Sequence, residues 1–396
     1  MIGGGTAALI AALAAAERGA RVVLDEAAPP VFRGGNTRHS RNLRLAHVGP
    51  TAVQPGIYPV EELVADVARA AEGAGDPALV RVLAEGSTEI ADLLARHGVV
   101  FQTREVPPSR KTAFFLGGGR TAVNALYRAA ERAGVTIRYG HRVDRLAACG
   151  VAAPAVVVAC GGAQSDLSHG FVDRGSPHVT GEILRDLLAD GVRPVGEAGA
   201  HHLVAVDARS PDHDGGIVTR VDRLDLGMVV DARGRRFAEE DAERGPTRYA
   251  LWGRRIAALP ERFALLVVDA EGRAAMPPTV WPPLRFETLD DLAAAFSLDP
   301  AALAASAEGC GRVARPPFFV VPMRPGTAFG GLGVAVDARA RVVNRDGSLR
   351  AGVFAAGMIM AAGVIGAGYV SGVALTIGAV FGRIAGEEAA RHALGR

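Results

Sequence analysis

The chain has 396 residues, of which 49% are hydrophobic and 22% are charged, and its formal net charge is +2. Such a composition supplies enough apolar surface for a substantial core, which excludes a disordered chain, and the length allows two to three domains or one large α/β unit with an insertion. The charges are balanced and form no run of one sign, which argues against a nucleic-acid-binding tail or a polybasic membrane anchor.

The first 26 residues follow the order strand end, glycine-rich loop, helix, strand. Gly3, Gly5 and Ala8 have the spacing G-x-G-x-x-A. Glycines there let the backbone approach a pyrophosphate, and the helix N-terminus that follows offers N–H groups and a positive dipole. An acidic residue about 20 positions further on, Glu26 or its competitor Asp25, can bind ribose hydroxyls. The segment predicts a dinucleotide-binding unit, with an ordinary tight strand–helix turn as the alternative.

The first strand is unusually short. Only Met1 and Ile2 precede the glycine loop, where a complete strand would have about four or five apolar residues. We therefore expect a stunted first strand, a weakened cofactor site and a true start upstream of Met1. The apolar N-terminus has no basic residues at its start, so a secretory signal is not expected.

The densest polar stretch runs from Arg33 to Arg44 and contains four arginines and a histidine. Glycines permit close backbone contact, and arginines bind anions such as a flavin, a pyrophosphate or a polycarboxylate. The candidate cofactor contacts are Arg33, Gly34, Gly35, Asn36 and Thr37. A solvated loop is the alternative interpretation. The residues that follow, 60–104, have the pattern of polar-faced helices.

Two later segments also have the texture of a nucleotide-binding fold. Gly117 to Gly119 precede a predicted helix over 121–133 and a strand over 135–139. A second apolar strand, 156–159, ends at Cys160, Gly161 and Gly162, and the carboxyl end of such a strand is where a cofactor can bind. A plain buried strand and turn would give the same pattern.

The cysteines indicate the compartment. Cys149, Cys160 and Cys310 are far apart and form no C-x-x-C pair. A disulfide framework, an iron–sulfur cluster, a covalently held haem c and a metal site are therefore not expected, and a reducing cytoplasm fits best. Cys160 is interpreted as a small buried residue rather than a nucleophile.

From about Pro194 to Met323, histidines and arginines crowd a segment with several short predicted strands. This change in composition and in predicted strands indicates an inserted domain over 196–323, flanked by the two parts of a nucleotide-binding domain at 1–195 and 324–396.

A charge-free run over 351–382 is long enough to cross a bilayer. It contains eight glycines and a β-branched patch, so a buried strand, a glycine-rich turn and a buried helix are preferred over a membrane span. A hairpin around 344–347 precedes the run.

Together these segments resemble the fumarate reductase/succinate dehydrogenase-type flavoproteins over nearly the whole chain. The further carriers of the resemblance are Leu116 to Arg120, Gly234 to Phe237, Phe354 to Gly357, and Phe381 to Gly386. Within the family, the chain most resembles the tricarballylate dehydrogenase type and the flavoprotein half of CobZ-type precorrin-3B synthase. The resemblance implies bound FAD, an α/β fold with a doubly wound FAD-binding domain (Rossmann-like, of the glutathione reductase type), and an inserted α+β capping domain.

The resemblance also implies a chemistry, in which hydride passes between flavin N5 and a carbon next to a carboxylate. The family's proton-transferring arginine, which follows the R-F-x-x-E signature, matches Arg244, with Arg248 as its competitor. The substrate-binding histidine and an upstream arginine match His202 and Arg223. The remaining implied cofactor contacts are Gly357, Met358, Val373 and Ala374.

Three departures from the family pattern matter. Tyr369 stands where fumarate reductases place an arginine that holds the second carboxylate, which argues against a C4-dicarboxylate substrate. Met358 replaces an acidic residue that contacts the cofactor. The T-x-T-F-G-G pattern is shortened at 327–331, and His39 is out of register with the covalent flavin links of the family.

We therefore expect an FAD-dependent dehydrogenase that oxidises a small polycarboxylate to its enoate, such as cis-aconitate, and passes electrons to a separate iron–sulfur/haem membrane partner. Arginine is a poor base, so Arg244 needs a carboxylate neighbour, for which Glu243 and Asp222 are the candidates. The alternatives are the flavoprotein component of precorrin-3B synthase and a degenerate, non-catalytic flavin-binding homologue. The expected location is the cytoplasm, or the inner membrane surface through the partner, with neither direct membrane insertion nor a nucleic-acid partner.

Overall fold

The computed structural model of the protein describes residues 1–103, 109–146, 153–242, 248–366 and 368–396. Contacts divide the chain into two units, and the bounds of unit 1 are Met1–Asp166, Gly175–His202 and Phe329–Arg396. Those of unit 2 are Leu167–Arg174 and Leu203–Ala328. Contacts thus divide the units at 202/203 and 328/329, later in the chain than the predicted 195/196 and 323/324, and His202 belongs to unit 1.

Both units contain helices and strands. The α-helices are α1 (Thr6–Glu17), α2 (Val60–Ala70), α3 (Pro77–Gly86), α4 (Ile90–Arg96), α5 (Gly118–Arg132), α6 (Glu182–Ala189), α7 (Arg248–Ala257), α8 (Ala270–Ala275), α9 (Leu289–Phe296), α10 (Pro300–Cys310), α11 (Ala362–Ile365) and α12 (Val373–Ala393). The strands are β1 (Val23–Glu26), β2 (Asn42–Arg44), β3 (Thr112–Phe114), β4 (Thr136–Tyr139), β5 (Val156–Val158), β6 (Val172–Asp173), β7 (Pro194–Asp207), β8 (Met228–Asp231), β9 (Ala264–Val268), β10 (Leu284–Phe286), β11 (Phe318–Val334), β12 (Arg341–Val343) and β13 (Leu349–Ala355).

The main sheet of unit 1 has the order β4–β1–Ile2–β5–β13–β12. β1 is parallel to β4, and β13 is parallel to β5, whereas β12 runs antiparallel to β13. Ile2 forms parallel bridges to Asp25 and to Val158. The stunted first strand is therefore confirmed, because a single bridging residue joins the two halves of the sheet. The parallel strands and the helices between them make this unit α/β, as the sequence predicts.

Helices α1 and α12 pack closely through small residues. α1 is buried from Thr6 to Ala15, which suits a helix that is apolar all round. A Cβ atom at Gly382 would lie 2.6 Å from the carbonyl oxygen of Ala7, and one at Gly386 would lie 2.2 Å from that of Ala11. Only glycine allows this approach of the two helix backbones.

The charge-free run over 351–382 is divided among β13, a 3-10 helix over Gly357–Ile359, α11 and the first half of α12. The predicted buried strand, turn and helix are thus confirmed. Of the helices in the described part of the chain, none combines the length and the apolar character that a membrane crossing requires.

Unit 2 is built on an antiparallel sheet with the order β10–β11–β9–β8. Side chains alternate between its two faces, and both faces are buried. On one face, Val229 and Leu266 pack in a cluster with Trp252 of α7. On the other, Val230 and Leu265 belong to a cluster to which α9 and α10 contribute. The segment 167–174 joins this unit because β6 pairs with β11.

Candidate functional site

Two glycines of the loop after Ile2, Gly3 and Gly4, lie where no side chain would fit. Gly3 has φ = 109°, and a Cβ atom on it would lie 2.4 Å from the carbonyl oxygen of Ala159, just after β5. At Gly4, a Cβ atom would lie 2.1 Å from both a carboxylate oxygen of Glu26 and the hydroxyl of Tyr127. Gly5 is the N-cap residue of α1 and has no side chain to hydrogen-bond to the first N–H groups of the helix. The loop therefore presents backbone, not side chains, at the start of α1.

The carboxylate of Glu26, not that of Asp25, lies against this loop. The buried carboxylate of Glu26 accepts hydrogen bonds from the backbone N–H groups of Ala28 (2.9 Å) and Gly34 (3.2 Å) and from the hydroxyl of Tyr127 (3.1 Å). A carboxylate can accept about four hydrogen bonds, so capacity remains for one more. Asp25 instead accepts from the guanidinium of Arg138 at 2.7 Å. Consecutive strand residues point to opposite faces, which is why only one acid meets the loop.

Arg33 lies over the ring of Tyr127, with 4.3 Å between its Cζ atom and the ring centroid. Its Nη1 donates to the hydroxyl of Tyr139 at 2.8 Å, and its Nη2 donates to Asn124 Oδ1 at 3.2 Å. Burial and the nearby Glu26 carboxylate raise the pKa of Tyr127, so the phenol stays protonated and can donate to Glu26. Arg33 is therefore held by aromatic residues rather than solvated.

The 3-10 helix over Gly35–His39 is tied to α1 through Thr37. Thr37 Oγ1 accepts hydrogen bonds from the backbone N–H and the hydroxyl of Thr6, at 3.0 and 3.1 Å. Asn36 Oδ1 accepts from the backbone N–H of Ser176 at 2.8 Å. Predicted contacts at positions 34–37 thus belong to an ordered part of unit 1 and not to a solvated loop.

Two buried donors in this segment suit an anionic cofactor. Arg33 Nε and Arg38 Nη1 are buried, and no described residue accepts a hydrogen bond from either atom. Buried guanidinium nitrogens are normally paired, and diphosphate oxygens are acceptors of the right charge. The orphaned donors, the glycine loop and the remaining acceptor capacity of Glu26 together fit FAD.

Cys160 follows β5 and lies next to Gly3, with the ideal Cβ atom of that glycine 2.9 Å from its Cα atom. Burial raises the pKa of the Cys160 thiol to about 12, so the sulfur is protonated at neutral pH. A protonated thiol is a poor nucleophile, which argues against a nucleophilic role, although Cys160 is half-buried and not fully buried as expected. Gly161 and Gly162 continue the turn after the strand.

The C-terminal segment reaches the same place. Gly357 packs against Ala7 in the first turn of α1, and Met358 follows it in the 3-10 helix. Val373 and Ala374 form the first turn of α12, whose cap, Gly372, makes no side-chain hydrogen bond. Predicted cofactor contacts from four separate parts of the sequence, around positions 3–8, 34–37, 160 and 357, therefore meet at the N-terminal turn of α1.

His202 is buried within unit 1 and packs against two aromatic rings that also contact each other. Its ring is nearly parallel to that of Phe329, with centroids 5.2 Å apart and a 14° angle, and its centroid lies 4.4 Å from that of Tyr369. The Tyr369 hydroxyl accepts a hydrogen bond from the backbone N–H of Gly372 at 3.4 Å. Tyr369 thus connects the predicted substrate-binding histidine to the start of α12.

The arginines assigned to catalysis belong to unit 2 or lie outside the described residues. Arg223 has φ = 61°, and its Nε donates to Asp225 at 3.0 Å. Arg244 falls in a part of the chain that is not described, and Arg248 opens α7 with its side chain outside the description. Asp222, a candidate neighbour of Arg244, accepts from Arg220 at 2.7 Å.

The R-F-x-x-E signature forms a structural anchor in unit 2. Glu240 is buried, and its Oε2 accepts from Arg236 at 2.6 Å and from Arg312 at 2.9 Å. Its Oε1 accepts from the backbone N–H of Val229 in β8 at 2.8 Å. The hydrogen bond to Glu240 raises the pKa of Arg236. The signature fixes the chain just before position 244 to the sheet.

Three contributing residues were missed by the sequence reasoning: Gly4, Tyr127 and Tyr139. Gly4 occupies the x position of the motif, where any residue is allowed by the pattern. Tyr127 on α5 contacts Gly4, 123 residues away, and Tyr139 on β4 contacts Arg33, 106 residues away. The scarcity of tyrosine, five in the chain, was the one signal that marked them.

Comparison with known proteins supports FAD as the cofactor. A family model described as "FAD binding domain" matches residues 1–375. The chain is 24% identical to "Fumarate reductase (cytochrome)" of Shewanella frigidimarina, over 99% of this chain and 76% of that protein. It is 23% identical to "NADH:fumarate oxidoreductase" of Klebsiella pneumoniae (strain 342), over 100% of this chain and 48% of that protein.

Two solved structures share the fold. The open conformation of a flavocytochrome c3 fumarate reductase has a TM-score of 0.80 at 23% identity, covering 99% of this chain and 78% of that one. A 3-ketosteroid delta1-dehydrogenase from Sterolibacterium denitrificans has a TM-score of 0.78 at 15% identity, covering 98% of each chain. Because the family match spans almost the whole chain and the site fits FAD, this chain belongs to the FAD binding domain family and is an FAD-dependent oxidoreductase of the fumarate reductase/succinate dehydrogenase flavoprotein family.

Proposed function

We propose that the protein is a dehydrogenase of the tricarballylate type, which oxidises a polycarboxylate to its enoate. The observation that carries the proposal is the packing of Tyr369 on His202. A neutral ring occupies the position at which the resemblance places the arginine that clamps the second carboxylate of a C4-dicarboxylate. The proposal includes a doubly wound FAD-binding domain and an inserted α+β cap.

In the proposed reaction, a C–C single bond flanked by carboxylates becomes a double bond as the substrate loses a hydride and a proton. FAD, when bound, supplies the hydride acceptor. His202 packs against Phe329 and Tyr369, and its imidazole N–H would donate a hydrogen bond to a substrate carboxylate. Arg223 would bind a second carboxylate through its forked guanidinium.

Arg244 is proposed to take the proton, with Arg248 as the competing candidate. The anchor formed by Glu240 supports this assignment, because it fixes the backbone shortly before position 244 to β8. Arginine is a poor base, so the proton must pass on quickly to a carboxylate or to water. The two electrons then leave for a separate iron–sulfur/haem partner, with the protein in the cytoplasm or at the inner membrane surface.

The test is anaerobic bleaching of the visible flavin absorbance by tricarballylate, succinate and a 3-ketosteroid. We expect fast bleaching by tricarballylate alone, and its loss in Arg244→Met with FAD still bound. The matched control is Arg285→Met, which removes an exposed arginine of unit 2 that pairs with Glu287. Faster bleaching by succinate or the steroid would refute the substrate, and unchanged bleaching in Arg244→Met would move the role to Arg248.

Tyr369 offers a second test of substrate choice. Tyr369→Arg should raise the rate of flavin bleaching by succinate relative to tricarballylate, because it restores a cation for a second carboxylate. Tyr369→Phe keeps the neutral ring and should keep the wild-type preference. Equal preferences in the two variants would remove Tyr369 from substrate selection.

A second candidate is the flavoprotein component of a precorrin-3B synthase. The trio of rings formed by His202, Phe329 and Tyr369 favours it, because conjugated macrocycles stack on aromatic rings. Quenching of flavin fluorescence by a polycarboxylate porphyrin, lost in Phe329→Leu, would support this candidate. A purified protein that neither carries nor binds FAD would instead indicate a degenerate homologue.

A further inference from the structure

A buried charged cluster lies in unit 1, outside the residues assigned to FAD. Arg44, Tyr58 and Asp66 are all buried. One oxygen of Asp66, Oδ2, accepts hydrogen bonds from Arg44 Nη1 (3.0 Å), the Tyr58 hydroxyl (2.8 Å) and Lys111 Nζ (2.7 Å). Buried charges are costly to desolvate and are weak evidence of stability by themselves, so a cluster of this kind calls for a role.

Lys111 is the only lysine among the 44 basic residues of the chain. Its ammonium lies 2.7 Å from Asp66, 2.9 Å from Glu62 and 5.1 Å from the centroid of the Tyr58 ring. A compact ammonium can point its donors at acceptors on several sides, whereas a guanidinium is a planar fork. In a chain whose other 43 basic residues are arginines, the one lysine therefore stands where three groups surround the cation.

On its other side, Arg44 is bound to the start of α12. Arg44 Nε donates to the carbonyl oxygen of Ser371 at 3.0 Å. The backbone N–H of Arg44 donates to Thr376 Oγ1 at 3.0 Å, and the Thr376 hydroxyl lies 2.8 Å from the carbonyl oxygen of Arg44. A Cβ atom on Gly372 would lie 2.6 Å from the backbone nitrogen of Arg44. The turn before α12 and its first helical turn are therefore both fixed to β2.

We propose that Arg44, held by Asp66, Tyr58 and Lys111, is a positioning residue that fixes the N-terminal turn of α12 against the flavin and thereby raises its reduction potential. The proposal rests on the assignment of Val373 and Ala374 to FAD. A helix N-terminus stabilises negative charge, and reduced flavin carries more of it than oxidised flavin. Displacement of this turn should therefore weaken the binding of reduced flavin more than that of oxidised flavin.

The experiment compares Arg44→Met and Lys111→Arg with Arg69→Gln in the FAD-loaded protein. Arg69 is the matched control, because it contacts the other oxygen of Asp66 at 3.4 Å with a side chain that is 76% exposed. The measurements are the midpoint potential against a redox dye, the FAD affinity of the apoprotein, and its melting temperature. Thr376→Val, which deletes the hydroxyl contacts without changing charge, replaces Arg44→Met if that variant does not fold.

We expect Arg44→Met to lower the affinity ratio of reduced to oxidised flavin about tenfold, which is ~30 mV for a two-electron couple. Lys111→Arg and Thr376→Val should shift the potential in the same direction by less, and Arg69→Gln should leave it unchanged. A lower melting temperature with a wild-type potential in Arg44→Met and Thr376→Val would overturn the proposal and leave the cluster a structural role only. Wild-type protein that binds no FAD would instead overturn the assignment of the cofactor, and this inference with it.

Discussion

The backbone of Gly4 lies so close to the carboxylate of Glu26 that a Cβ atom at position 4 would be 2.1 Å from Oε2. Tyr127 contacts both residues: its hydroxyl lies 3.0 Å from the carbonyl oxygen of Gly4 and 3.1 Å from the carboxylate of Glu26. The glycine loop and the end of β1 are therefore joined directly, without a side chain between them.

Gly4→Ala should consequently disrupt the dinucleotide loop. The new methyl group must displace Glu26 or Tyr127, both of which are buried, so we expect FAD affinity to fall at least about tenfold, by ~1.4 kcal/mol. Fluorescence titration of the apoprotein measures the change. The control is Gly309→Ala in α10, where a Cβ atom would meet nothing within 4 Å. Wild-type FAD affinity in Gly4→Ala would contradict the close contact of Gly4 with Glu26 and Tyr127.

Gly386→Ala should separate α12 from α1. The new Cβ atom would lie 2.2 Å from the carbonyl oxygen of Ala11, so the two helices must move apart. Overpacking of this kind lowers the free energy of unfolding by about 1–3 kcal/mol. Urea denaturation of the apoprotein measures the loss of unfolding free energy. Glu387→Ala is the neighbouring control, because it removes only a partly exposed ion pair with Arg18, worth about 0–1 kcal/mol. Equal losses in the two variants would contradict the close helix contact.

The sequence predicted the parts of the site that are local in the chain. Gly3, Gly5 and Glu26 were found because loop, helix and strand follow one another within a single unit. Spacing favoured Glu26 and left Asp25 as its competitor, because the choice between two adjacent acids depends on which strand face meets the loop. Contacts from distant parts of the chain, such as that of Tyr139 with Arg33, leave no local pattern at all.

The boundary of the inserted segment is another feature that the sequence alone could not locate. A change in composition marked the arginine-rich stretch, but the boundary between the units falls within β7, after His202. A strand continues its alternation across such a boundary, so composition cannot locate it. The lone lysine was visible in the sequence from the start, but its role depends on Asp66 and Glu62, which only the fold brings to it.

Glu62 should give unit 1 an acid-sensitive component of stability. Hydrogen bonds from Arg110 and then Lys111 lower the pKa of Glu62 from 4.5 to about 2. A lowered carboxyl pKa contributes stability that is present above the unfolded value and is lost as the pH falls toward the folded one. We expect the melting temperature to fall as the pH drops from about 5 to 3, and to fall less steeply in Glu62→Gln.

The control for this titration is Glu72→Gln, an exposed carboxyl after the same helix. We expect the slope of melting temperature against pH to be smaller in Glu62→Gln than in this control. A wild-type slope in Glu62→Gln would mean that other carboxyls account for the acid sensitivity.

Glu240 and Glu239 provide a matched pair in the signature of unit 2. Glu240→Gln leaves Arg236 and Arg312 partly unpaired in a buried site, which costs about 3–5 kcal/mol. Glu239, whose side chain is 67% exposed, contacts Arg236 at the surface, so Glu239→Gln should cost less than about 1 kcal/mol. Denaturation monitored by the fluorescence of Trp252, which packs in the same unit, compares them. Similar losses would mean that Glu240 does not anchor the signature to β8.

Arg223 combines a strained backbone with a proposed role in substrate binding. Its φ of 61° is the left-handed conformation, which costs a non-glycine residue roughly 1–2 kcal/mol. Strain of this kind persists where function requires the side chain. Arg223→Gly and Arg223→Ala both remove the guanidinium, so both should lower turnover equally, by about 10- to 100-fold. Arg223→Gly alone relieves the backbone and should be about 1 kcal/mol more stable than Arg223→Ala.

Ser297 separates the backbone effect from the functional one. It lies in the same unit at the C-terminus of α9 with φ = 54°, and no role in the reaction is assigned to it. Ser297→Gly should therefore be more stable than Ser297→Ala by a similar amount, while turnover stays at the wild-type level in both. If Arg223→Gly kept full turnover, the strained arginine would be a feature of the fold alone. If it were no more stable than Arg223→Ala while the Ser297 pair behaved as expected, the strain at position 223 would be relieved by its surroundings.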